Sequence, residues 1–552
     1  MNFLEAAKTV VMHRRVNMFI AGEWKEGMGL QKSLVFNPTT EEELAEVADA
    51  SPDQIKDAFL AARESQEYWR FEVGEQEKER IFRRIAAYLE EFKGPLSWVI
   101  IQEGGKLWKW AVAEVQETID TVWHYHGEIS RIYGRSSGSQ MPDKTSITRR
   151  EPYGVILGIT PWNFPLAVPS WKVFAALAGG NAIVMKAAEQ TPTTLSLLCY
   201  LFNRASAEEL GSARYNKMMG VFQVLHGQGE TVGKLMLEEG DYDKVMFTGG
   251  TDTGGIVAQT AGKRRKPISL ELGGHAAMIL MDDFDLDRAV SEAVTANCGD
   301  SGQRCVSLRA VFAHKDIATE FRERYVKRVS NLRIGNPADT ATFLGPLISN
   351  EQANKVYDQV RQACSEGGEL YCGGFPLKLE YSWNHLKFKN VDPQAWQKGY
   401  FFPPTVLDVI DSSNYAMQKE VFGPVLCIMQ FSGKNREGTF LDAVNLVNSS
   451  SYGLSNAVLT NDITLAMRAI ERVKTGILYI GRGPTGAEVG KPFGGVKDSG
   501  FGREGCGLLE VTYEKQVYVD YHGKPRMAQA GAEEEVREFL ERSEKVGKSV
   551  FG

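Results

Sequence analysis

Five short apolar runs rich in β-branched residues follow one another in the first half of this chain. They are Val155–Ile159, Ala182–Met185, Val221–Leu225, Val245–Phe247 and Ile268–Leu270. Their starts lie roughly 23–40 residues apart, and the chain between them has room for one helix each time, as at Thr191–Arg204 and Thr251–Gly262. That rhythm predicts parallel βαβ units and a doubly wound α/β sheet buried on both faces. Such a sheet binds ligands at the carboxyl ends of its strands, where the strand order reverses.

The flanking regions are read in the same way. Ser51-Pro52 predicts an N-cap and a first helical position, opening two helices across 51–93 with Ile55, Ala58, Phe59 and Ala62 on one face and Ile81, Ile85 and Leu89 on another. Beyond 274 come helical stretches at Leu286–Asn297 and Ile317–Val329, and strands near Ala310–Phe312 and Val425–Met429. Phe375–Lys398 has weak periodicity and reads as a surface loop or insertion. Thr145–Arg149 and Val517–Tyr521 show short alternation, and the tail from Arg526 places Val536, Phe539 and Leu540 on one face of a terminal helix.

Composition narrows the function. The 552 residues are 43% hydrophobic and 24% charged, with a net charge of −7, the profile of a globular chain without the basic footprint of a nucleic-acid binder. Seven cysteines form no C-x-x-C pair, which argues for a reducing, cytoplasmic setting and against a disulfide framework. Met1 to Arg15 lacks the pattern of a secretory signal. Tyr153–Trp171 carries no charge but holds three prolines, so no membrane span is expected. No H-E-x-x-H or EF-hand loop supports a metal site, and none of the eight histidines sits in a nucleophile-elbow context.

Several segments carry chemistry. Gly227–Gly233, containing Gly229, and Gly249–Gly255, containing Gly249 and Gly250, follow successive strands; each permits close approach of a phosphate to a helix N-terminus, and each alone reads equally as an ordinary βα turn. Lys186 and Glu189 sit at a strand end, as a ribose-binding pair or a solvated one. Cys305 follows Gly302-Gln303-Arg304; a neighbouring cation and exposed N–H groups are expected to lower the thiol pKa and make it a nucleophile, the other six cysteines being small buried hydrophobes. Glu271, between two leucines and before Gly273-Gly274, reads as a base of raised pKa or as a salt-bridged strand-end acid.

Taken in order, these segments resemble the aldehyde dehydrogenase superfamily. The likeness runs from Phe19–Trp24 and Asn37–Thr40 through Thr160-Pro161-Trp162-Asn163-Phe164-Pro165, Phe247–Thr251, Leu270–Gly274, Gly302–Cys305, Glu420–Pro424 and Pro492–Lys497 to Gly502–Gly505. The resemblance implies Cys305 as nucleophile, the Asn163 amide with the Cys305 N–H as oxyanion donors, Glu271 as hydrolytic base, and Lys172 and Glu504 near a proton path. It implies NAD as cofactor, with NADP the alternative, held by Thr160, Trp162, Lys186, Glu189, Gly229, Gly249, Gly250, Glu420 and Phe422. Trp171 and Phe493 match positions lining an apolar substrate tunnel. Ala187, Gly250, His275 and Gly299 depart from the family's usual residues.

The implied activity is NAD-dependent oxidation of an aldehyde to a carboxylic acid through a thiohemiacetal and a thioester. Arg482–Val489 is similar to the corresponding segment of glutamate-semialdehyde (pyrroline-5-carboxylate) dehydrogenases, and points to an amino-acid-derived semialdehyde or an aliphatic aldehyde. The alternatives are a coenzyme A-acylating relative and a non-catalytic member of the fold. The family architecture divides the chain into a cofactor domain (1–132 and 153–273), a catalytic domain (274–490), an oligomerisation arm (133–152 and 508–525) and a tail (526–552), and implies a homodimer or homotetramer.

Overall fold

The computed structural model describes residues 3–379, 388–433, 435–521, 523 and 533–551. All five apolar runs are strands, and they form the middle of one eight-stranded sheet. In spatial order the strands are 500–501, 268–271, 244–248, 155–159, 182–186, 222–225, 18–20 and 23–25. The central five are parallel, and the edges are closed by antiparallel partners. From Val155–Ile159 the chain winds outward twice, through 182–186 to 222–225, and then returns to the other flank at 244–248. The strand order therefore reverses beside Ile159, the place where a doubly wound sheet opens a crevice. The uncharged Tyr153–Trp171 segment supplies that central strand and the start of the helix Ala167–Ala178, every residue of which is buried. No helix among the described residues is long and apolar enough to cross a membrane.

Glu271 ends a strand of this sheet, and only Leu272-Gly273-Gly274-His275 separate it from Ala276, which opens a strand of the second sheet. That sheet has seven strands, in the order 369–372, 405–408, 425–431, 308–314, 276–280, 455–459 and 477–480, all parallel but the first. The two strands expected near 310 and 425 are adjacent at its centre, whereas the other five are not apparent in the sequence pattern. Ala276-Ala277 and Ser455-Asn456 lack the β-branched bulk that marks strands, and burial in the sheet overrides that local preference.

Helices Pro52–Phe71 and Glu75–Glu91 form as the spacing predicts, the first opened by a reciprocal cap between Ser51 and Gln54. Thr145–Arg149 and Val517–Tyr521 meet in one antiparallel pair, with Ile147 opposite Val517. Phe375–Lys398 needs correction. Residues 380–387 lie outside the described ones, but Leu377, Phe388 and Ala395 are buried in the second core and Val391 bridges Ile334, so its ends are packed and not a surface loop. The tail does form a helix, Glu533–Phe551, on which Val536, Phe539 and Leu540 are exposed.

Candidate active site

Cys305 stands on the approach to the strand Leu308–His314. The helix Leu286–Cys298 ends just ahead of it, and Asp300, Ser301 and Gly302 then take left-handed backbone in succession (φ 54°, 53° and 72°). Two non-glycine residues in that region store strain, which the surroundings must hold in place. Arg309 does so: its buried guanidinium donates to the carbonyl oxygens of Gly302 (2.7 Å), Arg304 (3.1 Å) and Gly423 (2.8 Å). Glycine is required at 302, because a Cβ there would collide with the carbonyl of Gly423.

The thiol opens on a cavity of about 210 Å³ whose wall also includes Glu271, Thr248, Glu504, Trp171 and Phe493. Base and nucleophile thus come from different sheets and face one space. The expected lowering of the thiol pKa is overturned. Burial, then the carboxylates of Glu420 and Glu271, push it up to about 12. The Arg304 guanidinium does not outweigh these effects; it lies over the rings of Trp110 (4.0 Å) and Phe164 (5.9 Å). Trp110 also packs where a side chain at Gly299 would reach. Of the other cysteines, Cys199, Cys298, Cys372 and Cys427 are buried as expected, while Cys364 and Cys506 are half-buried.

Glu271 is 3% exposed, and neither carboxylate oxygen has a hydrogen-bond partner. Burial, reinforced by the charge of Glu504, holds its pKa well above the usual carboxylate range. Behind it, Lys172 Nζ lies 2.6 Å from Glu504 Oε2 and 2.7 Å from Thr248 Oγ1. The salt-bridged alternative for Glu271 therefore fails: the ion pair is between its neighbours. Asn163 Nδ2 donates to the carbonyl oxygen of Gln303 at 2.9 Å, two residues from Cys305. One N–H of that amide is thereby engaged, and an amide carries two. Trp171 and Phe493 pack with ring centroids 5.0 Å apart.

The residues expected to hold a cofactor line the carboxyl edge of the first sheet. Thr160 follows its central strand, and Lys186 ends the next, with Nζ 2.9 Å from Glu189 Oε2. Gly229 opens a short π-helical turn after Phe222–Leu225. The Gly249 N–H donates to the Glu271 carbonyl, and Gly250 is the N-cap of the helix Thr251–Lys263, with no side-chain cap and open space where a Cβ would stand. Uncapped N–H groups at such a terminus suit an anion. Glu420 Oε1 accepts from the Gly274 N–H at 3.1 Å, and burial raises its pKa to about 7. Phe422 meets Trp162 edge-on at 5.6 Å. His275 donates from Nε2 to the Ala416 carbonyl at 2.9 Å, and burial lowers its pKa to about 4, so it is a neutral structural donor.

Sequence reasoning missed Thr248 as a partner of Lys172, Glu117 on the cavity wall, and a buried Lys106–Glu114 pair. Glu114 and Glu117 fall within the helix Trp108–Glu128, which the sequence pattern did not single out. Only their i, i+3 spacing hints that they share a side.

A mainly parallel sheet with an open helix N-terminus at its carboxyl edge, and a cavity that holds a thiol and a partnerless carboxylate, suits a cofactor-dependent oxidoreductase. Residues 24–517 match the model of the aldehyde dehydrogenase family, and the chain belongs to that family. A betaine aldehyde dehydrogenase of Brucella anthropi is 34% identical over 511 residues, covering 92% of this chain and 97% of its own. The solved structure of betaine aldehyde dehydrogenase from Staphylococcus aureus, a complex with NAD+, is 30% identical and covers 96% of this chain and 98% of its own, with a TM-score of 0.85. That of an NADP-dependent enzyme from E. coli is 29% identical and covers 91% and 98%, with a TM-score of 0.82.

Proposed function

We propose that this aldehyde dehydrogenase oxidises its substrate to a free carboxylic acid with NAD, through an acyl group carried on Cys305. The observation that carries the reading is the placement of Cys305 and Glu271 on one cavity at the carboxyl edge of the first sheet. Cys305 gives up its proton to solvent through the cavity and adds to the aldehyde carbon as a thiolate, so that Glu271, whose raised pKa suits it to receive a proton, stays free for the hydrolytic step. The second N–H of Asn163 and the Cys305 N–H hold the oxygen as it gains charge. NAD, when bound, supplies the hydride acceptor. Glu271 then takes a proton from the water that cleaves the thioester, and Lys172 with Glu504 and Thr248 relays it outward. This hydrolytic base favours a free acid over transfer to coenzyme A. The presence of Cys305, Glu271 and Asn163 disfavours a non-catalytic role.

The cofactor reading rests on three features of the edge. Gly250 leaves a helix N-terminus open for pyrophosphate, Lys186 and Glu189 stand where the adenosine ribose would lie, and Glu420 and Phe422 flank Gly274 and Trp162 at the nicotinamide end. Glu189 beside the ribose 2′-hydroxyl repels a 2′-phosphate, hence NAD over NADP. Steady-state kinetics with both cofactors test this, and a higher kcat/KM with NADP overturns it.

The rings of Trp110, Phe164, Trp171 and Phe493 on the cavity wall suit an amino-acid-derived semialdehyde or an aliphatic aldehyde. A panel of such aldehydes, with betaine aldehyde included because the relatives carry that name, ranks the substrates by kcat/KM. The antiparallel pair 144–152 with 512–520 exposes Tyr513, Tyr518 and Val519, fitting an arm that joins two or four cytoplasmic subunits. The reaction itself is tested by Cys305→Ala: NADH formation disappears while NAD binding stays. Residual turnover at the native rate refutes the assignment.

A further inference from the structure

Lys106 and Glu114 take no part in the chemistry set out above, yet they form an ion pair at 2.6 Å with side chains only 4% and 0% exposed. Such a pair is weak evidence for stability, because its desolvation cost rivals its attraction. Where the remaining bonds of the two groups go is more informative. Lys106 Nζ donates to the main-chain oxygen of Asn163 at 2.6 Å. Glu114 Oε1 accepts from the N–H groups of Leu166 (2.9 Å) and Ala167 (3.2 Å), just beyond it. The same ammonium lies 3.5 Å from Asp300 Oδ2, in the left-handed turn ahead of Cys305, and 3.7 Å from the ring centroid of Phe164. One buried charge pair therefore grips both sides of the loop bearing Asn163 and touches the loop bearing the thiol.

We propose that the Lys106–Glu114 pair positions the oxyanion amide, setting the main chain at Asn163 and the turn at Asp300 in one register. The amide of Asn163 and the N–H of Cys305 then meet the same oxygen. Both are positioning residues: Glu114 borders the cavity with its two oxygens already engaged, and Lys106 acts through main chain and Asp300. The inference rests on the oxyanion role of Asn163 in the proposed reaction.

The test compares aldehyde kcat/KM and pre-steady-state NADH formation in four full-length chains: native, Asn163→Ala, Lys106→Met with Glu114→Leu, and all three changes together. Removing both charges avoids leaving Glu114 without Lys106, but Asp300 and the N–H groups of Leu166 and Ala167 each lose a partner, so Tm falls while NAD binding stays near native. Asn163→Ala lowers kcat/KM about 100-fold. The paired change lowers it about 10- to 100-fold with KM little altered, and the triple variant falls no further than Asn163→Ala alone, because the pair acts through that amide. Losses that multiply in the triple variant, or a paired change without effect, overturn the proposal. An Asn163→Ala chain of native activity removes the oxyanion reading itself, and the proposal with it. Should the paired variant not fold, Glu114→Gln keeps the shape and an acceptor for Leu166; its few-fold loss must likewise vanish in the Asn163→Ala background, and persistence there overturns the proposal.

Discussion

Lys172 is held 2.6 Å from Glu504, and that ion pair leaves Glu271, on the same cavity, with no partner for either oxygen. An unpaired carboxylate on the same cavity as the thiol suits the proton-accepting role proposed for Glu271. Its burial has a measurable cost.

Glu271 binds its proton more tightly in the folded than in the unfolded chain, because its folded pKa is raised. Between the unfolded pKa near 4.5 and the folded one, the native state holds the extra proton, so stability falls as pH rises through that window. Glu271→Gln removes this penalty. Its stability relative to native should grow with pH, by up to about 1.4 kcal/mol per pH unit in the window. Urea unfolding at pH 5 and pH 8 checks it. An advantage that shrinks toward pH 8 contradicts the sign.

The Cys305 thiol, with its pKa pushed up to about 12, should be protonated at neutral pH in the free enzyme. Its alkylation by iodoacetamide without NAD should be slow at pH 7 and rise about tenfold per pH unit over the alkaline range. Mass-resolved labelling follows Cys305 separately from half-buried Cys364 and Cys506. A plateau below pH 8 means a thiolate stabilised by something other than the groups around it here.

Gly302→Ala combines a left-handed φ of 72° with a collision against Gly423. It should cost about 2 kcal/mol or more of stability and lower kcat more than NAD affinity, since the displaced loop carries the thiol. Thermal unfolding and NAD titration separate the two effects. A variant of native Tm and kcat shows that the loop is not fixed by this contact.

Much of this architecture could be read from the chain alone, where side-chain bulk and backbone agree. The Val/Ile/Leu runs from 155 to 270 mark every parallel strand of the first sheet, and Ser51-Pro52 marks a helix start. Strands such as Ala276–Leu280 and Ser455–Leu459 escape, because their conformation comes from neighbours on both sides and not from their own residues. The motifs bring Cys305 and Glu271 to one site, but the thiol's ionisation was misread. Arg304 is next in sequence, but its charge is outweighed by burial and by the carboxylates of Glu420 and Glu271, which only the fold brings near. Lys106, in the link between two helices, and Glu114, on the second of them, escape for the same reason: only the folded chain shows each charge buried against the other.

The central claim is an acyl group on Cys305 that Glu271 releases. Rapid mixing of Glu271→Gln with aldehyde and NAD, quenched in acid and followed by mass spectrometry, tests it most directly. The account predicts a burst of one NADH per active site, a steady rate at least about 100-fold below native, and the acyl mass on the peptide containing Cys305. Steady turnover at the native rate with no burst, or an adduct on any other residue, would contradict it.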